Sequence, residues 1–265
     1  KGTIKHQPSD FFPGAAVSPF KATEAEQMVQ YFKLKKKIAA GAKFIVPQLG
    51  YDARKFHELI QFMRLNNLNV PVVGNIYILP YGAGRLMNQN QVPGCVVTNK
   101  LLAELDKERN DADKGVGARL LRAAKMYAFM KGMGFAGVHI GGHNIKYEQV
   151  EYIIEKGEEL SPNWMDLVHE FDYPMENGFY LYQKDEKTGL NTEIPTERKG
   201  RPLDTNVEFT YRLSRVVHSL IFEPGKNFFG VMKGISKAVE GKKIEKLYHG
   251  VEHLGKVAIY DCKDC

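Results

Sequence analysis

The chain has 265 residues, 43% of them hydrophobic, and a formal net charge of +6 at pH 7. That is enough apolar material for a sizeable core in one large domain or two modest ones. No run reaches the about 18 continuous apolar residues of a membrane span. The opening residues do not read as a secretory leader, and the lysine runs Lys35-Lys36-Lys37 and Lys242-Lys243 lack the arginine-rich context of a nucleic-acid site. Three cysteines, two of them in Cys262-Lys-Asp-Cys265, speak against a disulfide scaffold. A cytoplasmic protein without nucleic-acid partner or membrane span is expected.

Residues 15–19 read as a short small-residue strand ending at Pro19. A helix is predicted over 23–40, because Thr23 and Glu26 form a capping box and Gly41 suits the far end. Met28, Phe32 and Ile38 mark its apolar face. Residues 44–48 form a strand in which Pro47 is awkward, since proline cannot donate to a ladder. A helix over 53–67 and a strand over 70–79 follow, then an irregular loop over 80–98. Helices over 100–109 and 117–132, a strand over 135–140 and a helix over 145–156 complete four strand-then-helix units. This is the grammar of a parallel α/β protein.

Beyond residue 160 the pattern changes. Residues 161–201 are loop-rich, with a strand predicted over 179–182; helices over 204–222, 227–241 and 245–254 and a strand over 256–260 lead to the cysteine pair. The expected division is residues 1–160 for the strand–helix units and 161–265 for an α+β extension. Lys1 is not an initiator Met, and Cys262 and Cys265 form half of a four-ligand pattern, so a piece of a longer protein is expected.

Gln48 is the leading candidate for chemistry. It stands at the carboxyl end of a strand, where parallel α/β enzymes keep their ligands, and its amide both donates and accepts. The edge of a pterin or flavin would suit it; a strand-end amide satisfied by neighbouring backbone is the other reading. Tyr51 could stack on a flat ligand or pack locally, and Asp52 reads as the N-cap of the next helix. Lys33, Lys35, Lys36 and Lys37 span more than one helix face, so some must be solvated, while one or two could approach a diphosphate. His139 reads as a packed core histidine, and Gly141-Gly142 before Asn144 as a turn or an anion-binding backbone. Cys262 and Cys265 have metal-ligand spacing for zinc or an iron–sulfur cluster; Cys95 has no evident partner.

Residues 15–150 resemble the second half of the methylenetetrahydrofolate reductase barrel. The features that carry this are Leu34-Lys35-Lys36-Lys37-Ile-Ala-Ala-Gly41-Ala42, the strand closing on Gln48, Tyr51-Asp52, and Val70-Pro-Val-Val. Pro47 stands where the family usually has Thr, and Gly50 interrupts its aromatic run. The segment from Glu252 to Cys262 is similar to the start of a cysteine-rich C-terminal segment found on some such reductases. The resemblance implies a TIM-barrel-type (β/α)8 fold and flavin-dependent (FAD or FMN) reduction of 5,10-methylenetetrahydrofolate to 5-methyltetrahydrofolate, a step of one-carbon metabolism. It implies Gln48 on the folate pterin, Lys36 and Lys37 near the flavin diphosphate, Lys33 where the family often has Asn, and Ser18 where a Tyr commonly stacks on the flavin. It assigns no catalytic residue, since the family's acidic groups lie in the other half of the barrel. A folate substrate, an electron-donor protein subunit and an oligomer are expected. The alternatives are a methyl-folate-binding methyltransferase-type barrel and a non-catalytic partner subunit.

Overall fold

The computed structural model describes residues 10–197 together with Val216, Phe228, Gly230 and Val231. The chain divides into Lys1–Glu197 and Arg198–Cys265. The elements predicted beyond residue 201, and Cys262 and Cys265 with them, lie outside the described residues apart from those four positions.

Four short strands organise the first unit: β1 (Gly14–Val17), β2 (Phe44–Pro47), β3 (Val73–Tyr77) and β4 (Gly137–Gly141). β1 and β2 pair in parallel with Ala16 opposite Val46, and β3 and β4 with Asn75 opposite His139. One parallel bridge, Ile45 to Val72, joins the pairs. The strands therefore lie side by side in chain order without a reversal. Pro47 explains why the middle joint is so thin. The Ile45 N–H donates toward β3, to the Pro71 carbonyl at 2.9 Å, and the Gln48 N–H toward β1, to Val17 at 2.7 Å. Alternation sends the nitrogen of residue 47 toward β3, and proline has no hydrogen to give there.

The two faces of these strands differ. Ile45 and Ile76 are fully buried on one face, and a side chain at Gly74 would collide with Met130 of the helix lying over it. On the other face Phe44, Val46, Asn75 and Tyr77 are half-buried and His139 is exposed.

Helix α1 (Glu24–Ala39) begins at the expected capping box, Thr23 with Glu26. Its buried face is Gln27, Tyr31 and Leu34, while Phe32 is 59% exposed. Of the expected face, Met28 and Ile38 pack at the margin of the core while Phe32 points out; Tyr31 takes the inside, stacked on Phe62 at 4.3 Å between ring centroids. α2 (Ala53–Leu65) buries Phe56, Leu59, Phe62 and Met63 and, with them, Lys55, Glu58 and Gln61. Residues 80–98, expected as a loop, contain α3 (Tyr81–Asn88). Its two glycines disguise it, yet Gly84 is what lets Leu105 of α4 (Asn99–Glu108) approach: an added Cβ would lie 2.6 Å from it. α5 (Val116–Gly132) and α6 (Tyr147–Leu160) pack closely, with the Tyr127 ring lying on Gly157.

A 3-10 turn, α7 (Trp164–Leu167) and a second 3-10 turn lead to an antiparallel hairpin, β5 (Tyr182–Lys184) and β6 (Asn191–Pro195). The strand expected over 179–182 begins only at Tyr182. The backbone before it is already engaged: Leu181 N–H donates to Glu58 Oε2 at 2.6 Å, Phe179 N–H to the Ala22 carbonyl at 2.9 Å, and the Phe179 carbonyl accepts from Lys55 at 2.6 Å.

Candidate functional site

One polar row crosses the four strands: Ser18 and Gln48 just past the ends of β1 and β2, Asn75 and His139 at the middle of β3 and β4. Extending the β1–β2 register, in which Val17 faces Pro47, sets Ser18 beside Gln48. Carrying the Ile45–Val72 bridge three residues on sets Gln48 level with Asn75, which faces His139 directly. Alternation along each strand assigns this row to the less buried face. Gln48, the leading sequence candidate, thus has neighbours that sequence reasoning missed or misread. Asn75 went unnoticed inside an apolar strand. His139, expected in the core, is exposed, and its Nδ1 lies 3.2 Å from Asn75 Oδ1. The missed signal was period two: Val73, Asn75 and Tyr77 against Gly74 and Ile76.

The Gln48 side chain is half-buried, and its Oε1 accepts from the Leu49 N–H at 3.0 Å. Above it passes the loop after α3. Gly94 has a φ of +77°, and a Cβ there would sit 3.1 Å from Gln48 Nε2. Glycine serves both the left-handed backbone and the close approach. Ser18 Oγ is buried without a hydrogen-bond partner among the described residues. Lys37, although exposed, bends its Nζ to the Ala16 carbonyl at 2.7 Å, two residues before Ser18. That carbonyl points away from β2, since the Val17 carbonyl accepts from Gln48, so Lys37 covers an edge of β1 that pairs with no strand among the described residues. Lys35 donates to Asn66 Oδ1 at 3.1 Å. Lys33 and Lys36 are exposed on α1.

Tyr51 sits inside the core, 2% exposed, and its hydroxyl donates to the Tyr77 carbonyl at 3.1 Å. Burial holds its pKa well above the ordinary tyrosine value. It braces the end of β3 from within. Gly50, the break in the aromatic run, is where the Phe20 ring rests: a Cβ there would lie 2.2 Å from that ring. Phe20 in turn meets Phe56 edge-on at 5.0 Å. Asp52 caps α2, accepting from the Arg54 N–H at 2.9 Å. It also accepts from the Tyr180 hydroxyl, and burial pushes its pKa from the ordinary 3.8 to about 6. Gly141-Gly142 does not open a helix, for α6 starts at Tyr147; Gly142 is tight against Ile145 and Ile78 instead.

Beneath the rim a polar network ties α2 to the segment before the hairpin. Glu58 Oε1 accepts from the Tyr31 hydroxyl at 2.7 Å and from Lys55 at 3.1 Å. The Arg54 guanidinium and the Lys55 ammonium both lie over the Tyr180 ring, 3.9 Å and 4.5 Å from its centroid. Burial lowers the Lys55 pKa, and Glu58 opposes that shift. Sequence reasoning missed this network, because Leu181 and Phe179, which complete it, lie more than 100 residues from α2. Among the described residues no group of three His, Cys, Asp or Glu side chains could hold a metal. Cys95 is buried and free, and no helix there is long and apolar enough to cross a membrane.

Parallel strands in chain order, with helices packed on one face and a polar row across the other, define an α/β protein. The sequence profile described as methylenetetrahydrofolate reductase matches residues 4–156. That is more than half of the chain, and the protein belongs to this family. Among solved structures it is similar to an uncharacterized protein from Clostridium thermocellum described as binding two copies of 5-methyl-5,6,7,8-tetrahydrofolic acid, at 15% identity and a TM-score of 0.38. The match covers 57% of this chain and 53% of that one, so the chain spans about half the length of that relative. No curated protein matches.

Proposed function

We propose that the four strand–helix units are half of a (β/α)8 barrel and that its rim binds a reduced folate for conversion of 5,10-methylenetetrahydrofolate to 5-methyltetrahydrofolate. The observation that carries this reading is the position of Gln48. The residue at the centre of the family motif stands at the strand ends, between Ser18 and Asn75 in register. Its amide orients the pterin by donating and accepting along one edge. The Gly94 loop passes close to the amide nitrogen, and Tyr51 and Phe20 pack beside the backbone from which Gln48 projects. Gln48 moves no proton. Opening the folate's five-membered ring requires a proton on the departing nitrogen, and no residue of this chain is assigned that task.

The family implies a flavin, which when bound supplies the hydride that reduces the methylene carbon. The residues present fit it in part. Lys37 reaches the β1 edge beside Ser18, and Lys33 and Lys36 are free on α1 to face a diphosphate. Ser18 offers a buried hydroxyl without a partner, where an aromatic ring would stack in relatives. That same substitution favours the second reading, a barrel that binds methyl-folate without flavin. Cys262 and Cys265 would contribute two ligands to a zinc or iron–sulfur site, which metal analysis of a Cys262→Ala variant tests.

A visible spectrum of the purified protein under anaerobic conditions decides between the two folate readings. Flavin absorbance near about 450 nm that bleaches on adding 5-methyltetrahydrofolate is the expected result. A colourless protein that still binds the folate establishes the second reading, and one that does neither overturns both.

A further inference from the structure

We infer that Tyr180 is a positioning residue for Gln48, and that residues 179–181, which lie beyond the family-matched residues 4–156, clamp the loops leaving β1 and β2. The inference rests on the folate reading above and brings to its rim a segment which that reading does not use. The Gln48 amide takes its orientation from the loop that follows it. Its Oε1 accepts from the Leu49 N–H at 3.0 Å, so the backbone of residues 48–52 sets where the amide points. That loop ends at Asp52, whose Oδ1 accepts from the Arg54 N–H and whose Oδ2 accepts from the Tyr180 hydroxyl. The loop after β1 is held from the same segment. Its Ala22 carbonyl accepts from the Phe179 N–H at 2.9 Å, and its Phe20 ring rests on Gly50.

Adjacent residues of one short segment thus bond the far ends of both loops, and the Phe20–Gly50 contact joins the loops to each other. The clamp is itself anchored on α2. Lys55 donates to the Phe179 carbonyl at 2.6 Å, the Leu181 N–H donates to Glu58 at 2.6 Å, and the Arg54 and Lys55 cations lie over the Tyr180 ring. Just upstream, Tyr173 and Met175 line a cavity of about 10 Å³ with Phe20, Tyr51 and Val96, room for one water at most. Loops at strand ends carry binding residues and are costly to order. A segment that orders them before the ligand arrives lowers the cost of binding. Tyr180→Phe isolates this effect, because it keeps the ring under both cations and removes only the bond to Asp52.

The test titrates 5-methyltetrahydrofolate onto the wild type, Tyr180→Phe, Gln48→Leu, the double variant and Gln61→Ala, with melting temperature measured alongside. Gln61 donates to the Thr192 carbonyl further along α2, so Gln61→Ala loosens the same extension away from the rim. Tyr180→Phe should weaken the folate by about fivefold or more, and Gln61→Ala should leave its affinity unchanged at a similar loss of melting temperature. In the Gln48→Leu background Tyr180→Phe should cost nothing further, as expected when one residue acts through the other. Equal affinity in Tyr180→Phe and wild type, with Gln48→Leu weakened, overturns this inference and leaves the folate reading standing. An equal loss in both backgrounds, or in Gln61→Ala, also overturns it. A wild type that binds no folate overturns the folate reading itself, and hydrogen exchange at the Leu49, Gly50 and Tyr51 amides then decides the clamp. Exchange about tenfold faster in Tyr180→Phe but not in Gln61→Ala upholds it; unchanged exchange overturns it.

Discussion

Glu58 and Lys55 on α2 are both almost wholly buried, and Tyr31, Leu181 and Phe179 supply the rest of their hydrogen bonds. Asn75 and His139 on the strand face have only each other, and Ser18 Oγ has no partner among the described residues. Both clusters are polar groups set against apolar surroundings, yet the first is complete and the second is open. A buried polar group costs free energy unless it is bonded, so completed networks belong to the fold. Ser18 and Gln48, at the carboxyl ends of β1 and β2, stand where parallel α/β proteins bind their ligands. Substitutions in the two clusters should therefore separate stability from binding.

The largest effect is expected at Glu58. Glu58→Ala leaves the Lys55 ammonium buried without its anion and removes the acceptor of Tyr31 and Leu181. Breaking such a pair costs about 3–5 kcal/mol, read as a lowered denaturation midpoint in urea.

The next effect concerns pH. Asp52 has its folded pKa raised to about 6 from 3.8, so the fold binds its proton first and gains stability as pH falls from 6 toward 4. His57, whose Nδ1 accepts from the Asn191 N–H at 3.3 Å, has its pKa lowered by burial from 6.5 to about 4. The unfolded chain binds that proton first, and stability is lost as pH falls through the same window. The two slopes oppose each other, each on the order of 3 kcal/mol over the window. Wild-type stability should be nearly flat between pH 4 and about 6 with respect to these two groups. Asp52→Asn keeps the helix cap and should expose a decline toward acid, and His57→Gln should expose a rise. Thermal melts across that range check both signs.

Gly50→Ala forces the Phe20 ring away from the loop between Gln48 and Tyr51. Overpacking of this kind costs about 1–3 kcal/mol, and because it shifts the rim, folate affinity should fall with it. At the small end, Lys33→Met on the exposed face of α1 should change stability by less than about 0.5 kcal/mol. It should still weaken FAD binding at low salt, and less so at high salt, as a solvated charge facing a diphosphate would.

Much of the frame was legible in the sequence. Thr23 and Glu26 announced α1, Asp52 announced α2, and apolar runs broken by glycine marked four strand–helix units, because caps and periodicity are local signals. What was lost depends on distant partners. Tyr31 outcompetes Phe32 for the inside because Phe62 stacks on it. α3 survives two glycines because Leu105 needs the space that Gly84 leaves. Residues 179–181 stay out of the hairpin because Glu58 and Lys55 hold their backbone. Gln48 was found by position at a strand end, whereas Asn75, and the exposed rather than buried setting of His139 beside it, come into view only once the register of β3 against β4 is known.

The most direct test of the open-row account is titration of 5-methyltetrahydrofolate onto the wild type and Gln48→Leu under identical conditions. The account predicts saturable binding that weakens by about tenfold or more in the variant, with the melting temperature unchanged. Equal affinity in the two proteins, or no binding to the wild type, would contradict it.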